Sequence, residues 1–233
     1  MPGTYDVDAD PVVLERTEGP YGEVVLRRRG GRFEIIANGC FLMDTSDGRS
    51  ERLLVDAALD ALEEGRTGQA RGGLSVLIGG LGVGFSLERA AAEPRWARID
   101  VVERETAVVA WHRGGPLAPY SGHALDDPRV RVLETDLVAY VAGAGERYDA
   151  LCLDIDNGPD WTVTENNDSL YTPSGLTACR ERLNPGGVLA VWSARPSAAF
   201  EAALRGAGFS RARTIEVPVA RGVPDVVHVA VTA

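Results

Sequence analysis

From Leu74 onward the chain repeats one rhythm: a short apolar run, a turn rich in glycine or acid, then a helical stretch. Leu74-Ser75-Val76-Leu77-Ile78 opens it, and residues 84–92 read as the helix after it. Arg98 to Val102, Val130 to Leu133, Tyr148 to Leu153 and Val188 to Trp192 are the next expected strands. Helices are expected over 105–112, from Leu137, over 174–183 and near 197–206, with Asn184-Pro185-Gly186-Gly187 closing the third of these. Two β-rich runs, near 209–217 and 225–231, finish the chain. Strands that alternate with helices demand a mostly parallel sheet covered by helices on both faces, an α/β fold.

The region before this rhythm has a different pattern. Val12 to Leu14, Glu23 to Leu26 and Arg32 to Ile36 are short β-rich runs. Gly30-Gly31 and Asn38-Gly39 are hairpin turns, the second leading into Cys40-Phe41-Leu42-Met43. Such a unit is too small for a core of its own and must lean on the larger remainder of the chain. Residues 50–64 then read as a helix, with Leu54, Ala58, Ala61 and Leu62 on one stripe and Gly65 past its end. Residues 1–48 are therefore taken as an N-terminal β-hairpin unit and 49–233 as the α/β domain.

The 233 residues carry 24 basic and 34 acidic side chains, a formal charge of −10 that repels phosphate backbones. Arg27-Arg28-Arg29 is the only basic run and reads as a solvated strand end, so no nucleic-acid partner is expected. A cationic or neutral small molecule suits this surface better. No apolar run approaches the ~18 residues of a membrane span. The acidic first ten residues lack the apolar centre of a signal peptide, so a cytoplasmic location is expected. Cys40, Cys152 and Cys179 lie far apart and form no metal-ligand pattern; they read as small core residues in a reducing compartment.

Ligands of such sheets bind beyond the carboxyl ends of the strands, near the point where strand order reverses. The first strand ends in Gly79-Gly80-Leu81-Gly82-Val83-Gly84, where glycines admit close approach of a ligand to the backbone. About 20 residues on, Glu103 ends the second strand, where a carboxylate can accept both hydroxyls of a ribose. Asp136, after the third, fits either an acceptor for an adenine amino group or an N-cap for the next helix. Asp154, Asp156, Asp160, Glu165 and Asp168 come after the fourth strand, an acidic rim suited to a cation or simply to solvent. Trp161 in that loop can cover an aliphatic amine through cation–π contact. His112 and His123 read as solvated or capping residues and His228 as structural. Ser193 lacks a His/Asp partner at a recognisable spacing, which speaks against a hydrolase.

These residues together resemble the adenosyl-sulfonium site of class I S-adenosylmethionine-dependent methyltransferase folds, which are Rossmann-like. The finer resemblance is to the polyamine aminopropyltransferases, the spermidine synthase family. Its members place a small N-terminal β unit with a D/N-G turn before the nucleotide fold, as Asn38-Gly39 does here. They also carry a strand end like D-S-S-D-P, a later F-Y, and L-x-P-G-G. In this chain those become Asp154 to Gly158, Leu170-Tyr171 and Leu183-Asn184-Pro185-Gly186-Gly187. The resemblance implies that Glu103 holds the ribose, that Asp136 and Leu137 hold the adenine, and that Gly80, Gly82 and Gly84 leave room for the thioether chain. It implies Asp154 and Tyr171 as catalytic groups and Asp156, Asn157 and Trp161 as contacts for an amine. S-adenosylmethionine or its decarboxylated form is the implied cofactor, with no metal, and a homodimer is the implied assembly.

Four departures stand beside the likeness. The family's G-G-G-D-G-G has no acid here, the Gln after the D/N-G turn is absent, and Y-H-E is replaced around Ser50-Glu51-Arg52. The second acid of D-S-S-D-P is Asn157. Loss of an amine-binding acid weakens preference for a decarboxylated donor. Aminopropyl transfer releasing methylthioadenosine is the leading expectation. Methyl transfer to a small molecule, cyclisation within the cofactor, and a binding protein that lost its chemistry are the alternatives.

Overall fold

The computed structural model describes residues 10–19, 21–65, 73–162, 166–219 and 222–232. Glu165 and the acidic segment 1–9 lie outside the described residues. Four antiparallel strands in sequential order come first: β1 (Val12–Gly19), β2 (Gly22–Arg29), β3 (Arg32–Ala37) and β4 (Cys40–Asp44). The β3–β4 turn holds Asn38 at φ 50° and Gly39 at φ 79°, the paired left-handed conformations that a two-residue hairpin loop needs. Arg27 and Arg29 of the basic run pair with Glu34 across the β2–β3 ladder. Cys40 opposes Ala37 at the hairpin's end and is exposed, so the expectation of a core cysteine is corrected there. Cys152 and Cys179 are buried.

Helix α1 (Arg49–Glu64) is next, then β5 (Leu74–Gly79), α2 (Phe85–Ala92), β6 (Trp96–Glu103), α3 (Thr106–His112), β7 (Val130–Glu134), α4 (Leu137–Ala142) and β8 (Tyr148–Leu153). The chain ends with α5 (Pro173–Glu181), β9 (Leu183–Ser193), α6 (Ala198–Gly206), β10 (Ser210–Val217) and β11 (Asp225–Val231). The second sheet has the order β10-β11-β9-β8-β5-β6-β7, parallel from β9 to β7 and antiparallel at β10 and β11. Period-two alternation divides its side chains. Val76 and Ile78 of β5 join α1, α2 and α3 on one face, while Leu77 joins α4, α5 and α6 on the other. Val24, Leu26 and Ile35 of the N-terminal sheet share the first cluster with Leu54 and Ala58 of α1, so the small sheet leans on the larger unit.

One boundary differs from the sequence reading. Asn184-Pro185-Gly186-Gly187 does not close α5 but forms the start of β9, because Gly186 at φ 73° lets the strand bulge. Pairing begins at Tyr148↔Leu183, breaks, and resumes at Ala150↔Val188. His112 also departs from a solvated loop. It is the last residue of α3, buried, with its ring nitrogens 3.0 Å from Ser121 Oγ and 2.9 Å from the Gly82 carbonyl.

Candidate active site

Strand order reverses between β5 and β8, so the chain leaves the sheet in opposite directions there and opens a crevice at the strands' carboxyl ends. The Asp154 amide donates to the Gly79 carbonyl at 2.8 Å, which sets the end of β8 against the glycine turn. A side chain at Gly80, whose φ is 93°, would collide with the Asp154 backbone, so only glycine permits this approach. Gly82 similarly packs on Met43 of β4, whose sulfur accepts from the Val83 amide at 3.3 Å.

A cavity of about 460 Å³ fills this crevice. The N-terminal sheet forms one wall through Val24, Ile35, Ala37 and the 41–44 segment. Gly80, Gly82, Glu103, Asp136, Leu137, Asp154, Asp156 and Asn157 all line it. Gly84 does not: it begins α2 at φ 97° and packs toward His112 and Ser121. Trp161 is 60% exposed and Tyr171 is buried, and both stand outside the lining.

The carboxylates differ in how they are held. Glu103 accepts from the Leu81 amide at 3.0 Å and the Glu105 amide at 2.9 Å, and burial raises its pKa despite those bonds. Asp136 caps α4, accepting from the Ala139 amide at 2.8 Å, and is also among the residues that line the cavity. Asp156, at φ 51°, accepts from the Asn167 side-chain amide at 2.7 Å. Asp154 accepts from Ser86 Oγ at 2.8 Å, and desolvation lifts it to about 6. The Tyr171 hydroxyl is buried without a hydrogen-bond partner among the described residues; burial first, then the charges of Asp156, Cys179 and Asp154, raise its pKa.

Sequence reasoning missed Glu51. It stands in the first turn of α1, is 8% exposed, and lines the same cavity as Asp154. Burial and then the Asp154 charge lift it to about 7. The signal was present, because Glu51 falls three, four and seven residues before the buried Leu54, Val55 and Ala58 and so on the apolar stripe. Among the described residues, eight acids line the cavity against one cation, Arg104, which pairs with Glu105 at 3.2 Å and lies over the Tyr21 ring. Such a site attracts positive charge. Among the described residues no group of three or more His, Cys, Asp or Glu is arranged to hold a metal, and no helix is long and apolar enough to cross a membrane.

No family model matches the chain. A polyamine aminopropyltransferase of Corynebacterium efficiens is 30% identical over 192 residues, covering 79% of this chain and 33% of that protein. Polyamine aminopropyltransferase 2 of Pseudomonas aeruginosa is 31% identical over 151 residues, 60% of this chain and 36% of that protein. Putrescine N-methyltransferase 2 of Nicotiana tabacum is 34% identical over 117 residues, 49% of this chain and 31% of that protein. The chain thus spans about a third of the length of these curated relatives. The crystal structure of spermidine synthase from Thermotoga maritima superposes with a TM-score of 0.74 at 16% identity, covering 95% of this chain and 73% of that one. A spermidine synthase bound to the transition-state analogue AdoDATO superposes equally well, at a TM-score of 0.74 and 16% identity. The chain therefore has the spermidine synthase fold, within the class I methyltransferase type, and a sequence similar to the polyamine aminopropyltransferases.

Proposed function

We propose that this protein is an alkyl transferase that takes an aminopropyl group from decarboxylated S-adenosylmethionine, passes it to a small amine and releases methylthioadenosine. The observation that carries the reading is the cavity's excess of carboxylates, since donor sulfonium and acceptor amine are both cations. The curated aminopropyltransferase relatives support it. Glu103 would accept from the ribose hydroxyls, and Asp136 with Leu137 would flank the adenine. Gly80 and Gly82 keep the floor low enough for the thioether chain. Asp154 would take a proton from the attacking ammonium; lifted to about 6, it is matched to that task near neutral pH. The nitrogen then displaces the thioether at the carbon beside sulfur, with orientation in the cavity supplying much of the acceleration. The Asp156 carboxylate would meet the amine and Asn157 would border it; Tyr171 and Trp161, outside the lining, would reach it only by moving on binding.

Methyl transfer from intact S-adenosylmethionine is the second reading. It is favoured by the missing acid in the glycine turn and by the putrescine N-methyltransferase relative. A cytoplasmic location and the division at residue 48/49 belong to the proposal as well. The deciding assay tracks methylthioadenosine release from decarboxylated S-adenosylmethionine with and without diamines, in wild type and Asp154→Asn. Amine-dependent release that falls about 10²–10⁴-fold in the variant, with methylthioadenosine binding retained, is expected. S-adenosylhomocysteine formed from the intact cofactor instead would establish methyl transfer. Equal rates in both proteins would remove Asp154 from the chemistry.

A further inference from the structure

An ammonium that becomes a nucleophile sheds a proton, and in the proposed aminopropyl transfer, on which this inference rests, Asp154 receives it deep in a crevice. That proton must reach solvent before Asp154 can act again. The first turn of α1 holds a chain of groups suited to this. Ser50 Oγ lies 2.9 Å from Glu51 Oε2 and 3.1 Å from Asp225 Oδ2. A serine hydroxyl has one hydrogen, so it can donate to only one of the two carboxyl groups. Full-strength hydrogen bonds to both require a proton on one of the carboxyls, so that the hydroxyl accepts from it and donates to the other. The buried hydroxyl thus bridges the two acids, in the arrangement that a shared proton would satisfy.

The placement of the ends matters as much. Glu51 lines the site cavity beside Asp154, whereas Asp225 opens on a second cavity of about 420 Å³. The two cavities share Ser46, Asp47 and Glu51, so this turn of α1 is the partition between them. The charges facing the chain are Asp154 and Asp225 at Glu51, and Asp47 and Arg49 at Asp225. Arg49 is itself held by Asp47 at 2.7 Å, and Arg52 by Glu88 at 2.8 Å, so neither guanidinium pairs with Glu51. Burial raises both carboxyls, Glu51 to about 7, so the pair holds a proton more readily than exposed acids do.

We propose that Glu51, Ser50 and Asp225 form a proton exit from the site cavity to the second cavity. The nitrogen–carbon bond forms as the carbon–sulfur bond breaks, and the electron pair of the latter stays on sulfur. One proton is released per turnover, from the ammonium to Asp154. It then crosses the site cavity, whose lining Asp154 and Glu51 share, to reach Glu51; Ser50 accepts from one carboxyl and donates to the other, and the proton leaves through Asp225. Ser50 and Asp225 act through Glu51, so they are positioning residues.

The test has two arms. Infrared spectra of the resting protein at neutral pH should show a protonated carboxyl band that disappears in Glu51→Gln or Asp225→Asn, shifts in Ser50→Ala and persists in Ser50→Thr. Absence of that band in wild type overturns the proposal, whether or not the protein turns over decarboxylated S-adenosylmethionine. In the kinetic arm, Ser50→Ala should slow amine-dependent methylthioadenosine release about tenfold and enlarge its solvent isotope effect, with methylthioadenosine affinity unchanged and Thr restoring the rate. Wild-type rates and isotope effects in both Ser50→Ala and Asp225→Asn would overturn the exit. A wild type that releases no methylthioadenosine would instead overturn the proposed reaction, while the infrared arm still decides the proton chain.

Discussion

Two of the regions that shield carboxylates from solvent treat them in opposite ways. On β6, Asp100 is fully buried and saturated with partners. Arg131 grips it through Nη2 at 2.7 Å and Nε at 3.1 Å, and the Tyr148 hydroxyl donates at 2.7 Å. At the carboxyl end of β8 Asp154 has one serine hydroxyl, in the first turn of α1 Glu51 has another, and neither meets a guanidinium among the described residues. A buried charge left without a counter-ion is costly, and it persists where something other than folding requires it. The first region is a clamp between strands. The second, where acids outnumber cations in the cavity lining, suits a positively charged ligand, and this ties the sheet's topology to the proposed chemistry.

Removing the satisfied acid is the harshest way to break this comparison. Asp100→Ala takes the buried acceptor from the Tyr148 hydroxyl, leaving it Tyr140 alone, and leaves Arg131 only its exposed pair with Glu146, so it should destabilise the fold by about 3 kcal/mol. The urea midpoint should fall while the slope is kept. Methylthioadenosine affinity, measured under folding conditions, should not move. A midpoint within error of wild type would mean that solvent reaches Asp100 and that the clamp is not one.

Glu51→Gln should act in the other direction. A carboxyl raised from 4.5 to about 7 favours the folded state while it is protonated, and that contribution is lost as pH climbs through the folded value. Wild type should therefore lose stability relative to the variant between pH ~4.5 and ~7, reaching about 2–3 kcal/mol at higher pH. Denaturant titrations of both proteins across that window give the curve directly. Parallel stability profiles would show that Glu51 stays ionised without penalty, and the contrast with Asp100 would vanish.

The same contrast explains what was legible in the sequence. The alternation of strands and helices comes from local apolar runs and turn residues, and Gly80 to Glu103 fell into one cavity because both end adjacent parallel strands. The bulged start of β9 was not legible, since Pro and Gly after a helical pattern signal a stop equally well. Gly84 looked like part of one glycine cradle, yet a φ of 97° turns it toward His112 instead. Cys40 sits just past a turn whose exposure only the sheet's register fixes. Glu51 needed both its place on the α1 stripe and the packing of α1 against α2, where Ser86 Oγ reaches the Glu51 carbonyl at 3.2 Å. Pairings across long chain separation are what a one-dimensional pattern leaves out.

Asp136 lies between the two regimes, and it separates structure from ligand binding most finely. Its Oδ1 is engaged with the Ala139 amide, which makes it part of the fold, yet the residue also lines the cavity. Asp136→Ala should lose the cap and about 1 kcal/mol of stability. Asp136→Ser keeps a capping oxygen, so its stability should stay within a few tenths of a kcal/mol of wild type. If the carboxylate also accepts from an adenine amino group, both variants should bind methylthioadenosine about tenfold more weakly, because neither retains the charged acceptor. Calorimetric titration of the two variants, beside their unfolding curves, distinguishes the roles. Full affinity in the serine variant would confine Asp136 to the helix terminus and leave adenine recognition to backbone groups of the same loop.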